Sequence, residues 1–274
     1  MSPSLPGAER LEGVLASARS EGRAALIGYL PVGFPDVDRS LEAMTALVES
    51  GCDIVEVGFP YSDPVLDGPV IQDAAARALQ AGVRTTDIFR AVRAVVDAGG
   101  TAVVMSYWNP ILRYGIERFA ADLAVAGGSG VITPDLIPDE GDSWSAAAER
   151  HGVCPIFLIA PSSTDQRIAA TAARCRGFVY VASVMGVTGT RSAVGAVAGE
   201  LVTRARRFTD LPLCVGLGVS NGAQAAEMAS YADGVIVGSA LVKKITSEAP
   251  WSERLAALRE LTGELSAGVR EGNR

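Results

Sequence analysis

A closed parallel (β/α)8 barrel is the fold class the sequence predicts, and three observations predict it. Short apolar runs alternate with longer helical patterns eight times. The runs are continuous and rich in Val and Ile, as expected of strands covered on both faces by helices. All eight units fit within the roughly 250 residues typical of such a barrel. An open doubly wound sheet is the competing arrangement, but it needs a reversal point and usually fewer strands, and the GxGxxG fingerprint is absent. No low-complexity linker interrupts the chain, so residues 1–274 are expected to form a single domain.

The elements follow in order. A helical pattern over Gly7–Arg19 precedes the first strand and lies outside the eight repeats. Strands are expected at Ala25–Leu30, Asp53–Val57, Ala102–Met105, Gly130–Thr133, Pro155–Ile159, Gly177–Val181, Leu211–Val215 and Gly234–Val237. The helical patterns cover Asp38–Ser50, Thr86–Ala98, Ile116–Ala126, Ser143–Arg150, Thr164–Arg174, Val194–Phe208, Asn221–Ser230 and Ser252–Leu265. Two of the longer connections, 58–72 and 182–193, follow the second and sixth strands. Long loops at the C-terminal face of a barrel are where function concentrates.

Composition narrows the function. Of 274 residues, 49% are apolar and 20% charged, with a formal net charge of −7. A basic stripe for nucleic acid is not expected. No apolar run reaches the roughly 18 residues of a membrane span, and the N-terminus lacks a secretory pattern. Cys52, Cys154, Cys175 and Cys214 form no CxxC pair and read as free thiols of a cytoplasmic protein. His151, the one histidine, sits at a predicted helix end, so a His-rich metal site is not expected.

The stretch Glu56-Val-Gly-Phe-Pro-Tyr-Ser-Asp-Pro-Val-Leu-Asp67-Gly-Pro-Val-Ile-Gln72 joins the end of a strand to a proline-stiffened acidic loop. Strand alternation puts Ile54 and Glu56 on one side, and Val55 and Val57 on the other. If the valines face the helices, Glu56 faces the lumen at the C-terminal mouth. A carboxylate there either pairs with a cation or does chemistry, and the first three predicted strands hold no Lys or Arg. Desolvation would raise its pKa into the range useful for proton transfer. Asp67, before Gly68-Pro69, reads by itself as a turn or capping residue, and Asp63 in Ser62-Asp63-Pro64 more strongly so. On the sixth strand Phe178, Tyr180 and Ala182 share a side, which points Tyr180 into the mouth or else into the core.

Glycines mark the far side. Gly186-Val-Thr188-Gly189, Gly216-Leu-Gly218-Val-Ser220 and Gly238-Ser239 follow the last three strands. Glycines let backbone N–H groups approach an anion, and the loops after the seventh and eighth strands are a recurrent phosphate site in barrels. The residues thus describe a small phosphorylated metabolite undergoing proton-assisted isomerisation, aldol-type cleavage or condensation.

These residues resemble the tryptophan synthase α subunit family. Glu56–Gln72 is similar to its signature E-[IL]-G-x-P-[YF]-S-D-P-x-x-D-G-P-x-I-Q. Further matches are Gly28-Tyr29 through Pro35, Met105-Ser-Tyr107-Trp-Asn109-Pro110, Pro134-Asp135 through Pro138, Ala160-Pro161 through Thr164, and the three glycine motifs, in order along nearly the whole chain. The resemblance implies a (β/α)8 barrel that cleaves indole-3-glycerol phosphate to indole and glyceraldehyde 3-phosphate. It implies that Glu56 moves protons at indole C3 and at the glycerol hydroxyl, and that Asp67 holds the indole N–H. Tyr29 and Tyr107 would flank the indole, and Tyr180 would line the site near Glu56. Gly189, Gly218, Gly238 and Ser239 would take the phosphate, and Thr188 would close the strand-6 loop over Asp67. It implies no cofactor in this chain, a PLP-dependent β subunit as partner in an α2β2 tetramer, and contact with that partner through Tyr61–Leu66.

Ser183-Val184-Met185 departs from the family pattern, where many members carry an arginine two residues before Gly-Val-Thr-Gly. That departure motivates an alternative, a free-standing indole-glycerol-phosphate lyase needing no β subunit. Val70 stands where many members have threonine. A barrel retained only as a binding module is opposed by the presence of both carboxylates, and a metal-dependent epimerase by the lack of ligand histidines.

Overall fold

The computed structural model describes residues 7–182, 191–216 and 218–272. Among them, one parallel sheet contains β1 (Ala25–Pro31), β2 (Ile54–Gly58), β3 (Thr101–Met105), β4 (Gly130–Ile132), β5 (Cys154–Ile156), β6 (Leu158–Ile159), β7 (Val179–Ala182), β8 (Leu213–Gly216) and β9 (Gly234–Val237). Their spatial order is β5-β4-β3-β2-β1-β9-β8-β7-β6. β5 and β6 are halves of one expected strand, parted at Phe157. On one side the Ile156 carbonyl accepts from Thr133 N–H at 3.2 Å, and on the other the Phe157 carbonyl accepts from Tyr180 N–H at 3.1 Å. The two ends of the sheet therefore meet on one stretch of chain, and the barrel closes.

The surrounding helices are α1 (Gly7–Ser20), α2 (Val37–Glu49), α3 (Pro69–Gln80), α4 (Thr85–Asp97), α5 (Trp108–Tyr114), α6 (Ile116–Ala126), α7 (Asp142–His151), α8 (Asp165–Arg174), α9 (Arg191–Ala205), α10 (Gly222–Ala229), α11 (Ser239–Thr246) and α12 (Trp251–Glu271). Side-chain caps begin several of them: the carboxylate of Asp36 accepts from Arg39 N–H, Thr164 Oγ1 from Arg167 N–H and Asn221 Oδ1 from Gln224 N–H. The expected loop 58–72 is shorter than the sequence reading, because α3 starts at Pro69. Proline suits the first helical position, where its missing N–H has no intrahelical partner to lose. Helices α5 and α11 were not expected either. Both are short, with seven and eight residues.

Side-chain alternation divides the apolar residues into two cores. Val55, Val57, Val104, Val131, Val215 and Val235 face the helices. Ile27, Ile54, Val103, Ile132, Ile156, Phe178, Cys214 and Ile236 fill the lumen, joined from below by Ala8, Leu11, Leu15 and Ala18 of α1. The extra N-terminal helix is therefore the floor of the barrel. Gly177 (φ +81°) lies under it, and a Cβ there would meet Leu11 Cδ2 at 2.7 Å. Ion pairs hold the strand starts above this floor: Arg23 donates to both Asp53 oxygens at 2.8 and 2.9 Å, and Asp53 also accepts from Leu26 N–H at 2.8 Å.

With the floor sealed, access to the lumen is from the C-terminal end. Leu11 is fully buried, so Leu11→Ala should cost about 2–5 kcal/mol in urea unfolding, from lost burial plus a cavity. Gly13→Ala on the open face of α1, where a Cβ meets nothing within 4 Å, should be neutral or stabilising by up to about 1 kcal/mol.

Candidate active site

Register sets the first functional group. β2 lies between β1 and β3, with Glu56 beside Tyr29 and Val103. Val55 and Val57 face outward, so Glu56 points into the lumen, as the alternation predicts. It is 1% exposed, and its Oε2 has no hydrogen-bond partner among the described residues. Burial, and secondarily the nearby Asp67 carboxylate, push its pKa up to about 8.

Asp67 reaches the same cavity from the loop after β2. Two contacts fix that loop. Leu66 N–H donates to the Tyr107 hydroxyl at 2.9 Å, and Gln72 Nε2, in the first turns of α3, donates to the Asp67 carbonyl at 2.8 Å. Tyr61 stacks on Tyr107 with ring centroids 5.0 Å apart. Burial raises the Asp67 carboxyl to about 6, although the Tyr107 hydroxyl beside it works the other way. Asp63 sits outside this arrangement, exposed, accepting a hydrogen bond from Ser62.

Tyr29 and Tyr180 complete the acidic side. Burial, followed by the two carboxylates, holds both hydroxyls protonated, well above the ordinary tyrosine range. Glycines make room for them: a Cβ at Gly58 would lie 2.5 Å from the Tyr29 hydroxyl, and one at Gly216 would lie 2.4 Å from that of Tyr180. The cavity has a volume of about 740 Å³ and is lined by Tyr29, Glu56, Asp67 and Tyr180, with Met105, Leu158 and Ile236 as apolar wall. Tyr107 is not among the lining residues; it stands behind the loop that carries Asp67.

The glycine side is built from β8 and β9. Gly218, Val219 and Ser220 line the cavity, as do Gly238, Ser239 and Ala240. Gly238 caps α11. The first N–H groups of a helix lack intrahelical partners and carry partial positive charge, so the opening turn of α11 offers donors to an anion. Ser220 has less to offer, since its N–H and hydroxyl both donate to Gln224 Oε1. Thr188 and Gly189 lie outside the described residues, as does Ser183-Val184-Met185. Lys243 and Lys244 also line the cavity, which sequence reasoning missed. Their signal was available: they are the only two lysines in the sequence, and they are adjacent.

Other reactive groups stand apart. His151, at the end of α7, joins Arg150 on Glu117, with Nε2 and Oε1 2.7 Å apart. The four cysteines form no disulfide, and burial pushes Cys52, Cys154 and Cys175 up to about 12, which leaves these three poor nucleophiles. Among the described residues no cluster of three His, Cys, Asp or Glu could hold a metal, and no helix is long and apolar enough to cross a membrane.

The sequence profile of the family described as tryptophan synthase alpha chain matches residues 15–270. The chain is 59% identical over 263 residues to the tryptophan synthase alpha chain of Thermobifida fusca, covering 95% of this chain and 97% of that one. It is 62% identical over 265 residues to that of Mycobacterium tuberculosis, covering 97% and 96%. Among solved structures it is similar to M. tuberculosis tryptophan synthase in space group F222 (TM-score 0.89, 61% identity, 95% and 98% coverage). It is also similar to the Legionella pneumophila alpha subunit (TM-score 0.86, 30% identity, 97% and 99% coverage).

The buried carboxyl of Glu56 makes stability depend on pH. Its folded pKa of about 8 lies above the ordinary 4.5, so the native state holds a proton that the unfolded chain releases. Its stabilising contribution is complete below about pH 4.5 and is lost as pH rises through about 8. Glu56→Gln, which stays neutral, should gain stability relative to the parent between those limits, by up to about 1.4 kcal/mol per pH unit. Urea unfolding at pH 5, 6.5 and 8 checks this; a difference that does not change with pH would refute it.

Proposed function

Because the chain belongs to the tryptophan synthase alpha chain family, we propose from its geometry how it carries out that family's alpha reaction. The chain is a lyase that cleaves indole-3-glycerol phosphate to indole and glyceraldehyde 3-phosphate. In the proposed mechanism Glu56 is the acid–base group, and the observation that carries this is its buried, unpartnered Oε2 in the lumen. A carboxyl held neutral up to about pH 8 can deliver a proton to indole C3. Protonation at C3 places positive charge on the ring nitrogen, where the Asp67 carboxylate accepts the N–H and stabilises that charge. Glu56, now ionised, removes the proton of the glycerol hydroxyl adjacent to the ring. The carbon–oxygen bond becomes the aldehyde, the bond to C3 breaks, and its electron pair restores the aromatic ring. One proton enters and one leaves, so Glu56 ends as it began.

Tyr29 and Tyr180 line the indole end as neutral hydroxyls, and Tyr107 acts on that end through the loop it holds. Among the described residues, Gly218, Gly238 and Ser239 receive the phosphate. This chain forms one barrel domain and needs no cofactor for its own step. It works in the cytoplasm with a β subunit in an α2β2 tetramer, where PLP belongs to the partner. The segment Tyr61–Leu66 faces that partner. Support for this comes from Val65, 69% exposed at the tip of the loop that carries Asp67.

In an assay of indole release from indole-3-glycerol phosphate, Glu56→Gln should lower kcat by about 10²–10⁴-fold, the usual worth of a general acid–base group. Asp67→Asn should lower it by about 10²-fold, as for loss of a charge-stabilising group. Near-parental release by either variant would sink the mechanism. Activity should fall below about pH 6 as Asp67 takes up a proton, and above about pH 8 as Glu56 loses its own. Glu56→Gln should abolish the alkaline limb in the residual activity.

A further inference from the structure

Lys243 and Lys244 lie in the last turn of the eight-residue helix α11, and both line the cavity. No arginine lines it among the described residues, so its titratable acid and base side chains, tyrosines aside, are two carboxyl groups and two amines. The lysines do not serve the carboxylates. No ion pair engages either lysine among the described residues. Their positions on α11 explain where they reach. Lys243 stands four residues after Ser239, and Lys244 four after Ala240, so each shares a face with a residue of the first turn. Helical side chains lean toward the N-terminus, which carries both amines back over that turn. Lys243 is exposed and Lys244 half-buried, which suits long apolar stems lying on the wall with charged heads in water.

We propose that Lys243 and Lys244 are the counter-charge for the substrate's phosphate, drawing the dianion into the mouth and holding it at the first turn of α11. This rests on the reading that Gly218, Gly238 and Ser239 receive the phosphate. The need is electrostatic. The chain carries a net charge of −7, and its cavity contains the Asp67 carboxylate, so an anionic substrate enters against a repulsive field unless a local cation reverses it. Backbone donors bind an anion at contact range, whereas an ammonium group also acts at a distance. Placing the cations beside α11, away from Glu56 and Asp67, also discriminates between the two ends of the substrate. The competing role is complementing the C-terminal dipole of α11, which would affect stability alone.

The test uses the full chain at low ionic strength. For K243Q/K244Q the KM for indole-3-glycerol phosphate should rise about tenfold or more, with kcat within about threefold, and the fall of kcat/KM with added salt should flatten. Competitive inhibition by inorganic phosphate should weaken in parallel. K243R/K244R, which keeps the charge, should stay within about threefold of the parent KM. A KM within twofold of the parent for the Gln double variant, an unchanged salt dependence, or equal losses in the Arg and Gln variants would overturn the proposal. A lowered melting temperature with unchanged KM would assign the lysines to the helix end instead. Ser239→Asp separates the two readings. If it abolishes phosphate inhibition while the Gln double variant behaves as the parent, only the lysine inference fails. If inhibition survives Ser239→Asp, the phosphate site itself is misplaced.

Discussion

The arrangement depends on one buried carboxyl group, Glu56, whose Oε2 has no hydrogen-bond partner among the described residues. Burying a charged carboxylate without a counter-ion is costly enough that the group neutralises instead. Glu56 is forced into that position by backbone geometry, because it follows Ile54 by two residues on a strand held between β1 and β3. Its surroundings offer apolar side chains and two neutral tyrosine hydroxyls, and its Oε2 finds no donor among the described residues. A proton stays on it near neutrality as a result. Placing a lysine or arginine beside it would bind the carboxylate and remove the acid. In the proposed mechanism that lack of a partner at Oε2 is what keeps the acid available.

The rest of the barrel protects that condition. Helix α1 fills the bottom of the lumen with Leu11 and Leu15, which leaves the C-terminal mouth as the way in. Gly58 and Gly216 leave space for two tyrosine hydroxyls that side chains there would collide with. The loop bearing Asp67 is held through backbone and ring contacts to Tyr107, so a second carboxylate can approach the cavity without a salt bridge to position it. Positive charge is kept to a different wall. That wall holds the opening turn of α11 and two lysines, so the proposed proton transfer and anion binding would occupy opposite sides of one cavity.

Much of this was legible in the chain. Continuous Val and Ile runs announced strands covered on both sides, and simple alternation turned Glu56 and Tyr180 inward. Glycine spacing after the last strands pointed to Gly218, Gly238 and Ser239, which line the cavity. Other features were hidden for physical reasons. Helix α3 begins at Pro69 immediately after Gly68, and those residues signal turns as readily as helix starts. Helix α11 begins with Gly238-Ser239, which reads as a tight turn, and so its lysines were not projected onto the cavity. The interruption at Phe157 followed from closure, since strand 5 must satisfy β4 on one side and β7 on the other. Tyr107 read as a wall residue by resemblance, yet its hydroxyl accepts from Leu66 and it stands behind the loop.

Periodicity is a local property, so the chain alone settled which residues form strands, which face of each strand is apolar, and that a carboxylate would stand among them. Distance and burial are collective properties, and only packing supplied them. Closure of the barrel brought β2 and the loop after it to the same cavity as β7, β8 and β9. Desolvation by that enclosure separated the acid strengths of Glu56 and Asp67. The same enclosure carried Lys243 and Lys244, nearly 190 residues beyond Glu56 in the chain, to the same cavity.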